Sequence, residues 1–156
     1  MLSFDLRSLQ DGPVVTEATV PPEHPALEGL TMELVGPVVV SGRLAATAGD
    51  DVLWHGHLRA SVAGECRRCL QPVEQVLDEA VEVVFSADPD LLDDPSVYPL
   101  DVRASTVDLG QAVREELVLR VETFPLCRPD CAGLCPTCGA DLNAGPCGCT
   151  APGLTN

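Results

Sequence analysis

Eight cysteines are the residues of this chain best suited to chemistry. They fall into four close pairs: Cys66/Cys69, Cys127/Cys131, Cys135/Cys138 and Cys147/Cys149. Six of the eight lie in one stretch, CRPDCAGLCPTCGADLNAGPCGC, from Cys127 to Cys149. A Zn²⁺ ion takes four ligands in a tetrahedron, and two cysteines on a tight turn supply half of one. Four pairs therefore make two four-thiolate sites, with all eight cysteines as metal ligands and two zinc ions as the cofactor. Pro136 and Gly139 bracket the Cys135–Cys138 turn, and glycine suits the positive φ that such a knuckle needs. Four thiolates fill the tetrahedron, so both sites read as structural; a catalytic zinc keeps a position for water.

Two other uses of these sulfurs are disulfide bonding and redox chemistry. Disulfides belong to oxidising compartments. The start, MLSFDLRSLQDG, has no basic head followed by an apolar run, so a secretory leader is not expected. A redox CxxC would sit between a strand and a helix. Cys66-Arg-Arg-Cys69 carries two arginines that would lower a thiol pKa, but it lies between two strand-like runs.

Three pairings of the four pairs are possible. Only residues 139–146 separate Cys135/Cys138 from Cys147/Cys149, which favours one compact, ribbon-like site. In extended chain, residues i and i+2 point the same way, so Cys147 and Cys149 can face one ion. Cys66/Cys69 is then left with Cys127/Cys131. The runner-up places Cys127/Cys131 and Cys135/Cys138 on one ion, with only residues 132–134 to join them. A single zinc with spare thiols is the third arrangement.

The elements that must position these residues are mostly strands. Leu2, Phe4 and Leu6 alternate with polar residues, predicting a short N-terminal strand. Residues 11–29, with Pro13, Pro21, Pro22 and Pro25, read as irregular. Val38, Val40, Leu44 and Ala46 share a face, Gly49-Asp50-Asp51 signals a hairpin turn, and Trp54, Leu58, Ala60, Val62 and Cys66 share the next face. His55 and His57 fall on the polar side, where solvated strand residues are the expected reading. Val73, Leu77, Val81, Val83 and Phe85 share a face of the following run, so the first cysteine pair sits on a loop between strands. Residues 86–106, with five aspartates and three prolines, read as an acidic loop. A helix is expected from about Leu109 to Val121, with Asp108 as N-cap and Gln111 completing a variant capping box. The expected fold is α+β: a mainly antiparallel β-sheet or partly closed barrel, one covering helix, and a C-terminal zinc-ribbon-like module. The expected boundaries are 1–126 for the β domain, 127–150 for the cysteine-rich module and 151–156 for a tail.

The 156 residues carry 24 acids and nine bases, all of them arginine, for a formal net charge of −15. Each Zn²⁺ bound by four thiolates adds a charge of −2, since 2 − 4 = −2, so two sites bring −15 to −19. Such a field repels phosphate backbone and attracts basic partners. Arg67, Arg68 and Arg128 at the knuckles make a local basic spot that could reach a few phosphates. No run approaches the ~20 apolar residues of a membrane span, and a cytoplasmic protein is expected. No Ser/His/Asp set and no Gly-rich phosphate loop stand out, so no enzyme is expected.

The strings Cys66-Arg-Arg-Cys69-Leu-Gln-Pro-Val, Asp108-Leu109 at the helix start, and Leu126-Cys127-Arg-Pro-Asp-Cys131-Ala-Gly-Leu-Cys135-Pro-Thr-Cys138-Gly-Ala-Asp-Leu-Asn143 resemble the YceD family of bacterial large ribosomal RNA subunit accumulation proteins. The resemblance runs from about residue 30 to residue 149. It implies a cytoplasmic, non-catalytic factor needed for normal 23S ribosomal RNA levels. One departure is the ending. Family members continue into a short tail with an arginine and apolar residues, where this sequence reads Leu154-Thr155-Asn156. Two readings of partner follow: a basic ribosomal or assembly protein drawn by the acidic surface, or ribosomal RNA bound directly by the knuckle arginines.

Overall fold

A computed structural model describes residues 1–101, 103 and 105–149. The expected tail, 151–156, lies outside the described residues. The chain forms strands β1 (Ser3–Asp5), β2 (Val14–Val20), β3 (Glu33–Leu34), β4 (Val38–Ala46), β5 (Val52–Glu65), β6 (Pro72–Ser86), β7 (Val97–Pro99) and β8 (Thr106–Asp108). One α-helix, α1, spans Gly110–Arg120, and several 3₁₀ turns complete the described chain. Two compact units result: Met1–Val62 with Val76–Val121, and Ala63–Gln75 with Glu122–Asn156.

The first unit holds a six-stranded sheet in the order β2-β4-β5-β6-β7, with β3 paired to β5, and a two-stranded sheet of β1 and β8. The path does not return on itself, so among the described residues the sheet is open rather than closed into a barrel. β4 runs antiparallel to both β2 and β5, whereas β7 adds to β6 in parallel, Val84 opposite Val97 and Phe85 opposite Tyr98. Residues 66–71 alone join β5 to β6, too few for anything but an antiparallel pair.

Alternation in sequence becomes alternation in burial. Val52, Trp54, Leu58, Ala60 and Val62 on β5 and Leu77, Val81, Val83 and Phe85 on β6 are buried. Leu109, which caps α1, and Ala112, Val113 and Leu117 within it complete the same core. Ala46, expected on the buried face, is exposed at the end of β4. On the opposite face, His55 pairs with Glu82 at 3.0 Å, His57 with Asp78, and Arg59 with Asp78 at 3.2 Å.

Three local expectations differ from the structure. The stretch read as irregular contains β2, because the prolines flank rather than interrupt Val14–Val20, a run rich in β-branched residues. The acidic loop carries β7 and ends at β8. The helix cap is Leu109, although Asp108 Oδ1 still accepts the Gly110 N–H at 2.6 Å.

Trp54 is fully buried, and its indole N–H donates to Thr16 Oγ1 at 3.0 Å, which satisfies two polar groups inside the core. Its ring lies over Gly56, which pairs with Gly42 on β4. A Cβ on Gly56 would stand 2.4 Å from the ring. Gly56→Ala therefore lowers stability by about 1–3 kcal/mol, because a filled site must deform around the added methyl. Urea unfolding followed by Trp54 fluorescence checks it.

Candidate metal centres

The second unit has little apolar material. Its small buried cluster is Cys66, Cys69 and Cys131, flanked by Val73, Leu126 and Leu134. Sulfur takes the place that hydrocarbon holds in the first unit.

Two CxxC turns build this unit, and they share one backbone design. At the first, the Cys66 N–H donates to Gln71 O at 2.9 Å and the Leu70 N–H donates to Cys66 O at 2.9 Å. At the second, the Cys135 N–H donates to Ala140 O at 2.8 Å and the Gly139 N–H donates to Cys135 O at 2.8 Å. The residue after the second cysteine is left-handed in both, Leu70 at φ 61° and Gly139 at φ 73°. Leu70 is the one non-glycine residue with positive φ among the described residues. A left-handed L-residue costs about 1–2 kcal/mol, and Leu70 recovers little by burial since it is 57% exposed.

All eight predicted ligands come together in two groups of four: Cys66, Cys69, Cys127 and Cys131, and Cys135, Cys138, Cys147 and Cys149. This is the pairing that spacing favoured. Within each group the sulfurs lie within 4.8 Å of one another. Cys66 and Cys131 Sγ are 3.7 Å apart, and Cys69 and Cys127 Sγ 3.6 Å apart. A disulfide requires about 2.05 Å, and all eight thiols are free. A tetrahedron with metal–sulfur bonds of about 2.3 Å has edges of about 3.8 Å. The Cys66–Cys131 and Cys69–Cys127 separations match such an edge, and either group could hold a metal ion.

Electrostatics points the same way. Burial opposes ionisation of Cys66, but the backbone N–H groups of Cys69, Cys127 and Arg68 hold its pKa at about 6. The Asn143 side chain lowers that of Cys131. Desolvation, then the thiols of Cys69, Cys131 and Cys66, push Cys127 up to about 12. In the second group the backbone N–H groups of Cys138 and Thr137 bring Cys135 to about 6, while Cys138 and Cys147 push Cys149 up to about 11. Each group thus ionises in part, and the first thiolates resist the rest. A bound dication removes that resistance by compensating the charge.

The two groups differ in exposure. Cys66, Cys69 and Cys131 are buried and Cys127 is exposed; in the second group only Cys135 is buried, and Cys138 and Cys149 are exposed. The knuckle arginines are partly engaged. Arg68 donates to the Cys131 carbonyl at 3.0 Å, Arg128 lies 3.8 Å from Asp130, and Arg67 is exposed. Sequence reasoning passed over Asn143, whose Nδ2 donates to Cys131 Sγ at 3.3 Å. Asp141 two residues earlier, a turn-capping type, was the only local signal.

A mostly-β domain with two four-cysteine groups is the class of protein that these features define. The family described as "Large ribosomal RNA subunit accumulation protein YceD" matches residues 54–154, and the chain belongs to it. Uncharacterized proteins of Mycobacterium bovis and Mycobacterium tuberculosis are 37% identical over 103 residues, 64% of this chain and 49% of theirs. An uncharacterized protein of Mycobacterium leprae is 29% identical over 151 residues, 92% of this chain and 68% of its own. The matched stretch thus spans about half the length of the first two relatives. No solved structure matches the chain. Among the described residues, no helix is long and apolar enough to cross a membrane.

Leu70→Gly leaves stability unchanged or raises it by up to about 1 kcal/mol, as strain is relieved and glycine entropy partly offsets it. Denaturant unfolding checks this, and a clear loss would show that the leucine side chain is packed. On the reading that both groups hold metal, a chelator opens residues 127–149 to protease while the first unit, whose core is hydrocarbon, stays resistant. Mass mapping of the fragments reads this, and the more exposed second group gives up its metal first.

Proposed function

We propose that this protein is a non-catalytic factor in large-ribosomal-subunit biogenesis that supports 23S ribosomal RNA accumulation, with a Zn²⁺ ion in each four-cysteine group. It works in the cytoplasm, and its acidic surface engages a basic ribosomal or assembly protein. The observation that carries the zinc reading is the gathering of the eight sulfurs into two groups of four, with the Cys66–Cys131 and Cys69–Cys127 separations at the length of a tetrahedral edge. Family membership supports the ribosomal assignment. Filled four-thiolate sites leave no coordination position for a substrate, which supports a structural rather than catalytic metal.

The charge supports a basic partner over bare RNA. A net charge of −15 opposes phosphate, and zinc adds to it. Of the arginines that could offset this locally, Arg68 and Arg128 already have partners within the second unit.

The test uses the full chain with its native metal. Elemental analysis finds two zinc ions per chain. In binding assays against purified large-subunit proteins and against 23S ribosomal RNA fragments, the basic proteins bind, and added salt weakens them. Binding to RNA alone, with a steep loss in salt and none to protein, overturns this partner in favour of direct contact through Arg67, Arg68 and Arg128.

A further inference from the structure

Asn143 lies in the 3₁₀ turn Leu142–Ala144, within the segment that joins Cys138 to Cys147 and so both halves of the second group. The Ala144 N–H to Asp141 O bond at 3.2 Å and the Gly145 N–H to Leu142 O bond at 3.3 Å close that turn, and two more anchor it. The Asn143 N–H donates to Asp141 Oδ1 at 2.9 Å, and the Leu142 N–H donates to Gly133 O at 2.9 Å. The side chain reaches back to the first group. Its Oδ1 accepts the Ala132 N–H at 2.8 Å, and its Nδ2 donates to Cys131 Sγ at 3.3 Å. The amide orientation follows from its neighbours. A backbone N–H can only donate, so the oxygen faces Ala132 and the NH₂ group is left for sulfur. Both groups and Asn143 belong to the same compact unit.

A side chain carried on one group's loop thus supports a ligand of the other. We propose that the two metal sites are thermodynamically coupled through Asn143: filling the second group fixes both ends of the segment that carries this turn and so steadies its amide on Cys131, and this raises the first group's affinity for metal. The inference rests on the reading that both groups bind metal. Asn143 touches no ion and acts as a positioning residue through the Cys131 sulfur. Partners of ligand atoms set metal affinity by about 10–100-fold when removed. Because coupling between binding sites is reciprocal, emptying the first group weakens the second by the same factor.

The experiment loads the full chain with cadmium and follows each group's NMR signal during competition with a chelator. Cys66→Ser and Cys138→Ser assign the signals. Asn143→Asp is the informative variant: it keeps the acceptor for Ala132 and the size of the side chain, but places an anionic oxygen against the thiolate. With the second group intact, Asn143→Asp lowers the first group's affinity by about tenfold and shifts its cadmium signal. In the Cys138→Ser background, where the second group lacks a ligand, the same change has little further effect. Asn143→Ala, which also frees Ala132, loses at least as much. An equal loss in both backgrounds overturns the coupling and leaves Asn143 a local support of Cys131. No loss in either background overturns it as well. A native chain that binds no metal overturns the metal reading itself, an outcome distinct from two filled but independent sites.

Discussion

The second unit depends on bringing four sulfurs to van der Waals separation without joining them. The Cys66–Cys131 and Cys69–Cys127 sulfurs, 3.7 and 3.6 Å apart, are too far apart for covalent linkage, and four sulfurs within 4.8 Å are too close for four negative charges to coexist unaided. Neutral thiols would remove the repulsion but would leave a cluster of weak hydrogen-bonding groups with no strong attraction between them. A central cation converts the repulsive geometry into a cohesive one. In the first group, Cys66 and Cys131 are lowered while Cys69 and Cys127 are raised, as expected where neighbouring thiols compete to ionise. The first unit needs no such device, since Trp54, Leu44, Leu58 and Leu117 close an aliphatic core in which the one buried indole N–H is satisfied by Thr16.

The repeated knuckle shows how much of this geometry is backbone. In both turns the first cysteine's N–H and C=O are bonded to residues five and four positions ahead, and the left-handed residue lets the chain reverse. Glycine at 139 meets that demand without penalty. Leucine at 70 meets it under strain, so the ring of hydrogen bonds around Cys66 must outweigh the intrinsic preference of its own hinge residue. Gly133, also left-handed, serves a different end: a Cβ there would press within 3.2 Å of the Arg68 carbonyl, so the missing side chain allows the chain after Cys131 to pass close to the first knuckle.

What the sequence revealed follows from the range of each interaction. Ligand spacing is local, so the grouping of the cysteines could be read from the few residues between Cys138 and Cys147 and the lack of slack between Cys131 and Cys135. Strand faces in β5 and β6 were legible because a period of two is a property of neighbours. β2 was hidden because prolines on either side outweighed a short β-branched run whose pairing partner, β4, lies about twenty residues away. That the sheet stays open among the described residues depends on its edge strands, β2 and β7, which lie far apart in the chain and do not pair with each other. Asn143 illustrates the limit: its Asx-type turn is local and its contact with Cys131 is not.

Charge adds a constraint that no single contact displays. Four thiolates around a dication carry a net negative charge, so filling the proposed sites makes an already acidic chain more so. The donors that temper this charge are drawn from inside the unit: backbone N–H groups at both knuckles, the Asn143 amide at Cys131 and the Arg68 guanidinium at the Cys131 carbonyl. Each donor spent on a sulfur or its carbonyl is one fewer to offer a phosphate. A four-thiolate centre that stabilises itself in this way has fewer donors left to face a phosphate backbone.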